Sequence, residues 1–187
     1  MTARGKLAIH GGQRTVPEEL KREWPEITQE DKDAVLSVLE RNVLSGVHGP
    51  EARGLEQEWA DFTGSRHVLS FNSGTAALHS ALFAAGVGPG DEVITSTFSF
   101  SGSFHPILEQ NAIPIFVDID PRTYNVDVSQ IEAKLSDRTK VVVVNFPHNP
   151  TGFLPDSDLV HQLDRLSERH GFIIFSDEVY RGLELDP

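Results

Sequence analysis

The 187-residue sequence contains no cysteine, which excludes disulfides, thiolate metal sites and cysteine nucleophiles. Long hydrophobic runs are missing too. The opening MTARGKLAIHGGQRTVP lacks the apolar stretch of a secretory signal, and no segment approaches the length needed to span a bilayer. A soluble, cytoplasmic protein is the resulting expectation. Positive charge is scarce: 16 Lys and Arg stand against 28 Asp and Glu, a formal net charge of -12. That field opposes nucleic acid and anionic membranes as partners, because both are held mainly through Lys and Arg. A small anion remains admissible, since a nest of backbone N–H groups holds a phosphate even in an acidic protein. The eight histidines are scattered without close ligand spacing, so no metal site is expected.

The remainder is ordinary for a globular chain, 39% hydrophobic and 24% charged, with length for one domain and a core. Residues 1–27 read as an irregular arm, rich in Gly, Pro and polar side chains. From Thr28, TQEDKDAVLSVLER has helical period, with Val35, Leu36 and Leu39 on one face and acids in the first turn. NVLSGVHGPEARG reads as a loop, and LEQEWADFTG as a helix that Gly64 ends. Strands are then expected at HVLSF (67–71), EVITSTF, IPIFVDID, KVVVVNF and FIIFSDE. Between them fall an alanine-rich helix after NSG, a short helix in SFHPILEQN, a helix in DVSQIEAKLS capped by Asp127, and a helix in DSDLVHQLDRLSERHG with Leu159, Leu163 and Leu166 inward. Strands that are nearly continuous apolar runs, alternating with helices, predict an α/β fold: a mainly parallel sheet with helices on both faces over residues 28–187. In such sheets a ligand lies beyond the carboxyl ends of the strands.

Four of those ends carry polar chemistry. In FNSGTAAL (71–78), Ser73, Gly74, Thr75 and Ala76 can turn N–H groups toward one point, either as a phosphate nest at a helix start or as a plain helix cap. The spacing matches neither a Walker loop nor GxGxxG. In TSTFSFSGS (95–103), Phe100 is either a platform for a planar ring or, with Phe98, a core residue. In HNPTG (148–152), the proline fixes Asn149 in a turn or extended geometry, where its amide can donate to a phenolate or carbonyl oxygen or simply shape a turn. In FIIFSDEVYRG (172–182), Asp177 ends an apolar run, where an unpaired carboxylate is costly, and Tyr180 follows. The pair is either a cation site with a phenol or a helix-capping Asp with a packed Tyr. A ligand with one phosphate and a flat, hydroxylated, protonatable ring uses every one of these groups. Pyridoxal 5'-phosphate (PLP) has that structure, and a carboxylate beside its ring nitrogen keeps that nitrogen protonated.

The stretches AIHGGQRTVP, LSGVHGPEARGLEQEWADFTG, SGTAALHSAL, GVGPGDEVI and IPIFVDIDPRTYNVD resemble the DegT/DnrJ/StrS sugar aminotransferases, within the fold-type I PLP enzymes. The resemblance gives Gly74 and Thr75 to the cofactor phosphate, beside Ser73, and Phe100 to the ring face. NFPHNPTG and SDEVYRG instead resemble class I/II amino-acid aminotransferases, which assigns Asn149 and Tyr180 to the ring's 3-oxygen and Asp177 to its nitrogen. Both families carry the Schiff-base lysine on a later strand in a Ser-rich motif. None of Lys6, Lys21, Lys32, Lys134 and Lys140 lies in such a motif, so no catalytic residue is assigned. The resemblance therefore implies the N-terminal portion of an aminotransferase, without the lysine segment and small C-terminal domain, inactive by itself. The intact enzyme is expected as a homodimer moving an amino group between an amino acid and a keto acid or keto sugar. A PLP lyase, cyclase or dehydratase, or a lysine-free binding module, are the alternatives.

Overall fold

Val141 to Val144 are all buried, although successive side chains of a strand point to opposite faces. Both faces of that strand must therefore be covered. In the computed structural model, which describes residues 6–21 and 25–184, they are. Val141 and Val143 join Leu82, Val87, Val93, Ile107 and Ala112 in one apolar cluster. Val142 and Val144 join Ile94, Val117, Ile131, Leu163, Leu166 and others in a second.

The chain divides into two compact units, Met1–Val68 and Leu69–Pro187. The first contains α1 (Gln29–Glu40) and α2 (Pro50–Thr63). Thr28 and Asp31 form a reciprocal capping box at the start of α1, satisfying two otherwise unpaired N–H groups. α2 begins inside the segment expected to be a loop. Pro50 occupies its first turn, where the missing N–H costs nothing, so GPEARG opens a helix rather than preceding one. Gly64, in the left-handed region at φ 69°, ends it as expected. The apolar residues Val35, Leu36 and Leu39 of α1 and Leu55, Trp59 and Phe62 of α2 are all at least half exposed.

The second unit contains α3 (Gly74–Ala84), β1 (Glu92–Ser96), α4 (His105–Glu109), β2 (Ile113–Val117), β3 (Thr139–Asn145), α5 (Ser157–His170) and β4 (Ile173–Asp177). The strands form one parallel sheet in the order β2-β1-β3-β4. α3 and α4 supply Leu82 and Ile107 to one face, and α5 supplies Leu163 and Leu166 to the other. Asp156 caps α5 by accepting from Leu159 N–H at 2.9 Å, and Gly171 terminates it. Pro114 lies in the outer strand β2. Ile113 N–H donates inward to the Asp91 carbonyl, so the next residue, Pro114, presents its missing donor to the outer edge. Among the described residues no helix is long and apolar enough to cross a membrane.

Two expected elements differ. HVLSF at 67–71 is not a strand. It is paired with neither edge of the sheet, and Leu69 and Phe71 are 74% and 44% exposed; an apolar run becomes a strand only where a neighbouring strand completes its ladder. DVSQIEAKLS forms two single 3-10 turns, Val128–Gln130 and Glu132–Lys134, in place of an α-helix. Asp127 binds Ser129 N–H, Ser129 Oγ and Gln130 Nε2 with its own carboxylate, local bonds that compete with a helix. The tight turn also aligns residues three apart, so that Val128 and Ile131 both reach the sheet.

Candidate active site

The loops after β1, β3 and β4, the last residue of β4 and the start of α3 carry the seven residues singled out from sequence. Ser73 caps α3, its Oγ accepting from Ala76 N–H at 3.2 Å. Ala76 is thus not a free donor, contrary to the four-donor nest that the sequence suggested. The N–H groups of Gly74 and Thr75 have no acceptor among the described residues, and the helix dipole adds partial positive charge there. Ser73 and Gly74 are exposed and Thr75 is half-buried.

Phe100 is 64% exposed and Phe98 41%, so neither is a core phenylalanine. A Cβ on Gly102 would meet two Phe100 ring carbons at 2.9 Å and Thr75 Oγ1 at 3.2 Å. Gly102 therefore brings the aromatic ring and the threonine hydroxyl together, and a side chain there would displace one of them.

On the other side, Tyr180 donates its hydroxyl to Asn149 Oδ1 at 3.2 Å. Asn149 N–H donates to Asn145 Oδ1 at 2.6 Å, and Asn145 Nδ2 to the Asp177 carbonyl at 2.8 Å. Asn149, Asp177 and Tyr180 thus belong to one connected network across β3 and β4. The Asn149–Pro150 peptide is cis, as is Phe146–Pro147. Among the described residues no helix follows Asp177, which removes the capping explanation. Its half-buried carboxyl is pushed above the usual 3.8 by burial, and only the Val179 N–H opposes that shift. Arg181, the nearest cation in sequence, pairs with Glu178 at 2.6 Å. Among the described residues Asp177 has no ion pair.

Sequence reasoning missed Asn145, Asn125 and His148. All three are buried, and Asn125 Nδ2 reaches the Asn145 carbonyl at 3.4 Å. The detectable signal was the abrupt change from four valines to Asn145 and, three residues on, His148. Thr95, Ser103, Asn125, Asn145 and His148 line a small, partly open space of about 10 Å³, room for about one water. A separate groove of about 390 Å³, flanked by Arg122, Asp127, Phe153 and Gln162, contains none of the seven residues. Lys140, at the opposite end of β3 from Asn145 and exposed, is about 16 Å away along the strand.

Part-built features here suit PLP: two open N–H groups at a helix start for a phosphate, an exposed aromatic face, an amide and phenol in contact, and a carboxyl lacking a cation.

A sequence model of the DegT/DnrJ/EryC1/StrS aminotransferase family matches residues 25–179. The match thus extends through NFPHNPTG and into SDEVYRG, the stretches whose residues resembled another class. The chain is 38% identical over 156 residues to the spore coat polysaccharide biosynthesis protein SpsC of Bacillus subtilis, covering 83% of this chain and 38% of that protein. It is 36% identical over 148 residues to the UDP-2-acetamido-2-deoxy-3-oxo-D-glucuronate aminotransferase of Pseudomonas aeruginosa, covering 78% and 40%. Spr1654 of Streptococcus pneumoniae, solved in its PLP form, superposes with a TM-score of 0.66 at 29% identity, covering 84% of this chain and 38% of that one. The chain spans about two fifths of the length of the relatives it matches. On the family match, the chain belongs to the DegT/DnrJ/EryC1/StrS aminotransferase family.

Proposed function

We propose that this chain is the N-terminal portion of a PLP-dependent aminotransferase that moves an amino group from an amino acid to a keto sugar or keto acid. Residues 1–27 form its arm, and residues 28–187 part of its large domain. The observation that carries the reading is Asp177, a half-buried strand-end carboxyl with no cation among the described residues. A protonated ring nitrogen supplies the missing charge. When bound, PLP contributes an electron-accepting pyridinium ring to chemistry at a substrate carbon. The chain's own residues hold and tune it. Gly74 and Thr75 N–H groups, with the Ser73 and Thr75 hydroxyls, receive the phosphate. Phe100 covers a ring face. Asn149 Nδ2, and Tyr180 once its hydroxyl turns from Asn149 Oδ1, would donate to the ring oxygen and favour its anionic form, while Asp177 would keep the proton on the ring nitrogen. The 3-oxo sugar acid aminotransferase among the relatives favours a keto sugar as acceptor. A cytoplasmic homodimer belongs to the same reading; the exposed apolar residues of α1 and α2 support the association and say nothing of location.

The test is a titration of the 187-residue chain with PLP, with pyridoxal lacking the phosphate as control. Saturable binding of PLP that dialysis reverses is expected, with much weaker binding of pyridoxal. Borohydride reduction is expected to fix no stoichiometric adduct to any of the five lysines. Equal affinity for both compounds, or one fully modified lysine, contradicts the assignment.

Gly102 gives a second handle. Because Phe100 is a side chain with room to swing, Gly102→Ala is expected to leave thermal stability nearly unchanged. It should displace the ring and weaken PLP binding about 2- to 10-fold, the range of a lost aromatic contact. Equilibrium dialysis beside a melting curve distinguishes this from general damage: a large drop in Tm means that Gly102 is needed for packing instead.

A further inference from the structure

His148 is 1% exposed, and both of its ring nitrogens are engaged. Nε2 lies 3.2 Å from the Phe98 carbonyl and Nδ1 lies 2.8 Å from Thr151 Oγ1. A carbonyl oxygen only accepts, so Nε2 carries the hydrogen; in the neutral ring Nδ1 then accepts from the Thr151 hydroxyl. The ring centroid also lies 5.8 Å from that of Phe98. The two partners belong to different loops: Phe98 precedes Phe100 after β1, and Thr151 follows Asn149 after β3. Among the described residues the His148–Phe98 bond is the only hydrogen bond between residues 97–104 and 146–153.

We infer that His148 is a positioning residue that ties the Phe100 loop to the Asn149 loop and so sets the spacing between the aromatic face and the amide–phenol pair. The functional half of this statement rests on the PLP reading above; the structural half does not. A buried imidazole suits the task because it is rigid and spans two partners with one donor and one acceptor on opposite sides of a ring. No other side chain offers both at that separation. Each half can nonetheless be imitated. Glutamine extends an N–H about as far as Nε2 and lacks the acceptor at the Nδ1 position. Asparagine places an oxygen close to Nδ1 and falls short of Phe98.

The experiment compares the unmodified 187-residue chain with His148→Gln, His148→Asn and His148→Phe. Backbone amide spectra report each loop separately. The Gln variant is expected to shift Asn149, Thr151 and Phe153 while leaving Ser99 to Ser103 in place. The Asn variant should do the reverse, and the Phe variant should disturb both. Long-range nitrogen–proton spectra of the unmodified chain should show the hydrogen on Nε2, a measurement that depends on no variant folding. A hydrogen on Nδ1, or loops that shift together in Gln and Asn alike, overturns the inference. In PLP titrations each single-bond variant is expected to bind about 3- to 10-fold more weakly, the scale of one hydrogen bond. Absence of PLP binding by the unmodified chain defeats the cofactor reading alone, because the spectra decide the tie between the loops independently.

Discussion

Replacing Asp177 by Asn is expected to weaken PLP binding about 10- to 100-fold, the worth of one hydrogen bond to a charged group, while making the cofactor-free chain more resistant to urea. The two effects have opposite signs because the carboxylate serves the ligand at the expense of the fold. Burial holds the Asp177 carboxyl above the ordinary 3.8, so between 3.8 and that raised value the folded chain binds more protons than the unfolded one. Stability accordingly falls as pH rises through that window. Above it the full destabilisation is present, and below 3.8, where both states are protonated, it vanishes. Asparagine has the same shape and no charge, so its advantage over the parent should grow with pH across the window and then level off. Urea midpoints at several pH values, with a PLP titration at neutral pH, check both halves. A variant that binds PLP as tightly as the parent would remove the basis of the proposed function. A variant that is less stable at neutral pH would mean that the carboxylate is structural.

Ile131→Ala is expected to cost about 2–5 kcal/mol, the range for truncating a large buried aliphatic residue, against a total stability of about 5–15 kcal/mol for a domain. Ile131 is 0% exposed and joins the cluster formed with Ile94, Val142, Leu163 and Phe172. It also links the two 3-10 turns, being the residue after one and before the next. The segment has no α-helical ladder to fall back on, so Ile131, with Val126 and Val128 of the same connection, anchors it to the sheet through side-chain packing. Exposed Lys134, three residues on, should tolerate alanine within about 0.5 kcal/mol. Urea denaturation of both variants separates the cases, and a loss below about 1 kcal/mol at Ile131 would contradict its packing in the cluster.

The sheet was legible because each of its four strands is a short apolar run ending in turn or loop residues, and because α5 announces itself through Leu159, Leu163 and Leu166 between Asp156 and Gly171. HVLSF misled because composition alone cannot say whether a strand has a neighbour. DVSQIEAKLS misled because Asp127 has the look of a helix cap, while its carboxylate binds locally and closes a tighter turn. In the site, Asn149, Tyr180 and Asp177 stood out as polar residues placed where apolar strands stop, and they share one network. His148 and Asn145 escaped notice for a different reason. Their partners, the Phe98 carbonyl and the Asp177 carbonyl, are main-chain atoms 50 and 32 residues distant, and nothing in a side-chain pattern records such a pairing.

The sheet is unequally defended along its two margins. Next to Pro114 the outer row of β2 has lost a donor, so an incoming chain cannot zip along it without a gap. β4 has no such blemish, and its first residue, Ile173, is 49% exposed. Of the two margins, β4 is therefore the seam along which a foreign strand pairs without interruption.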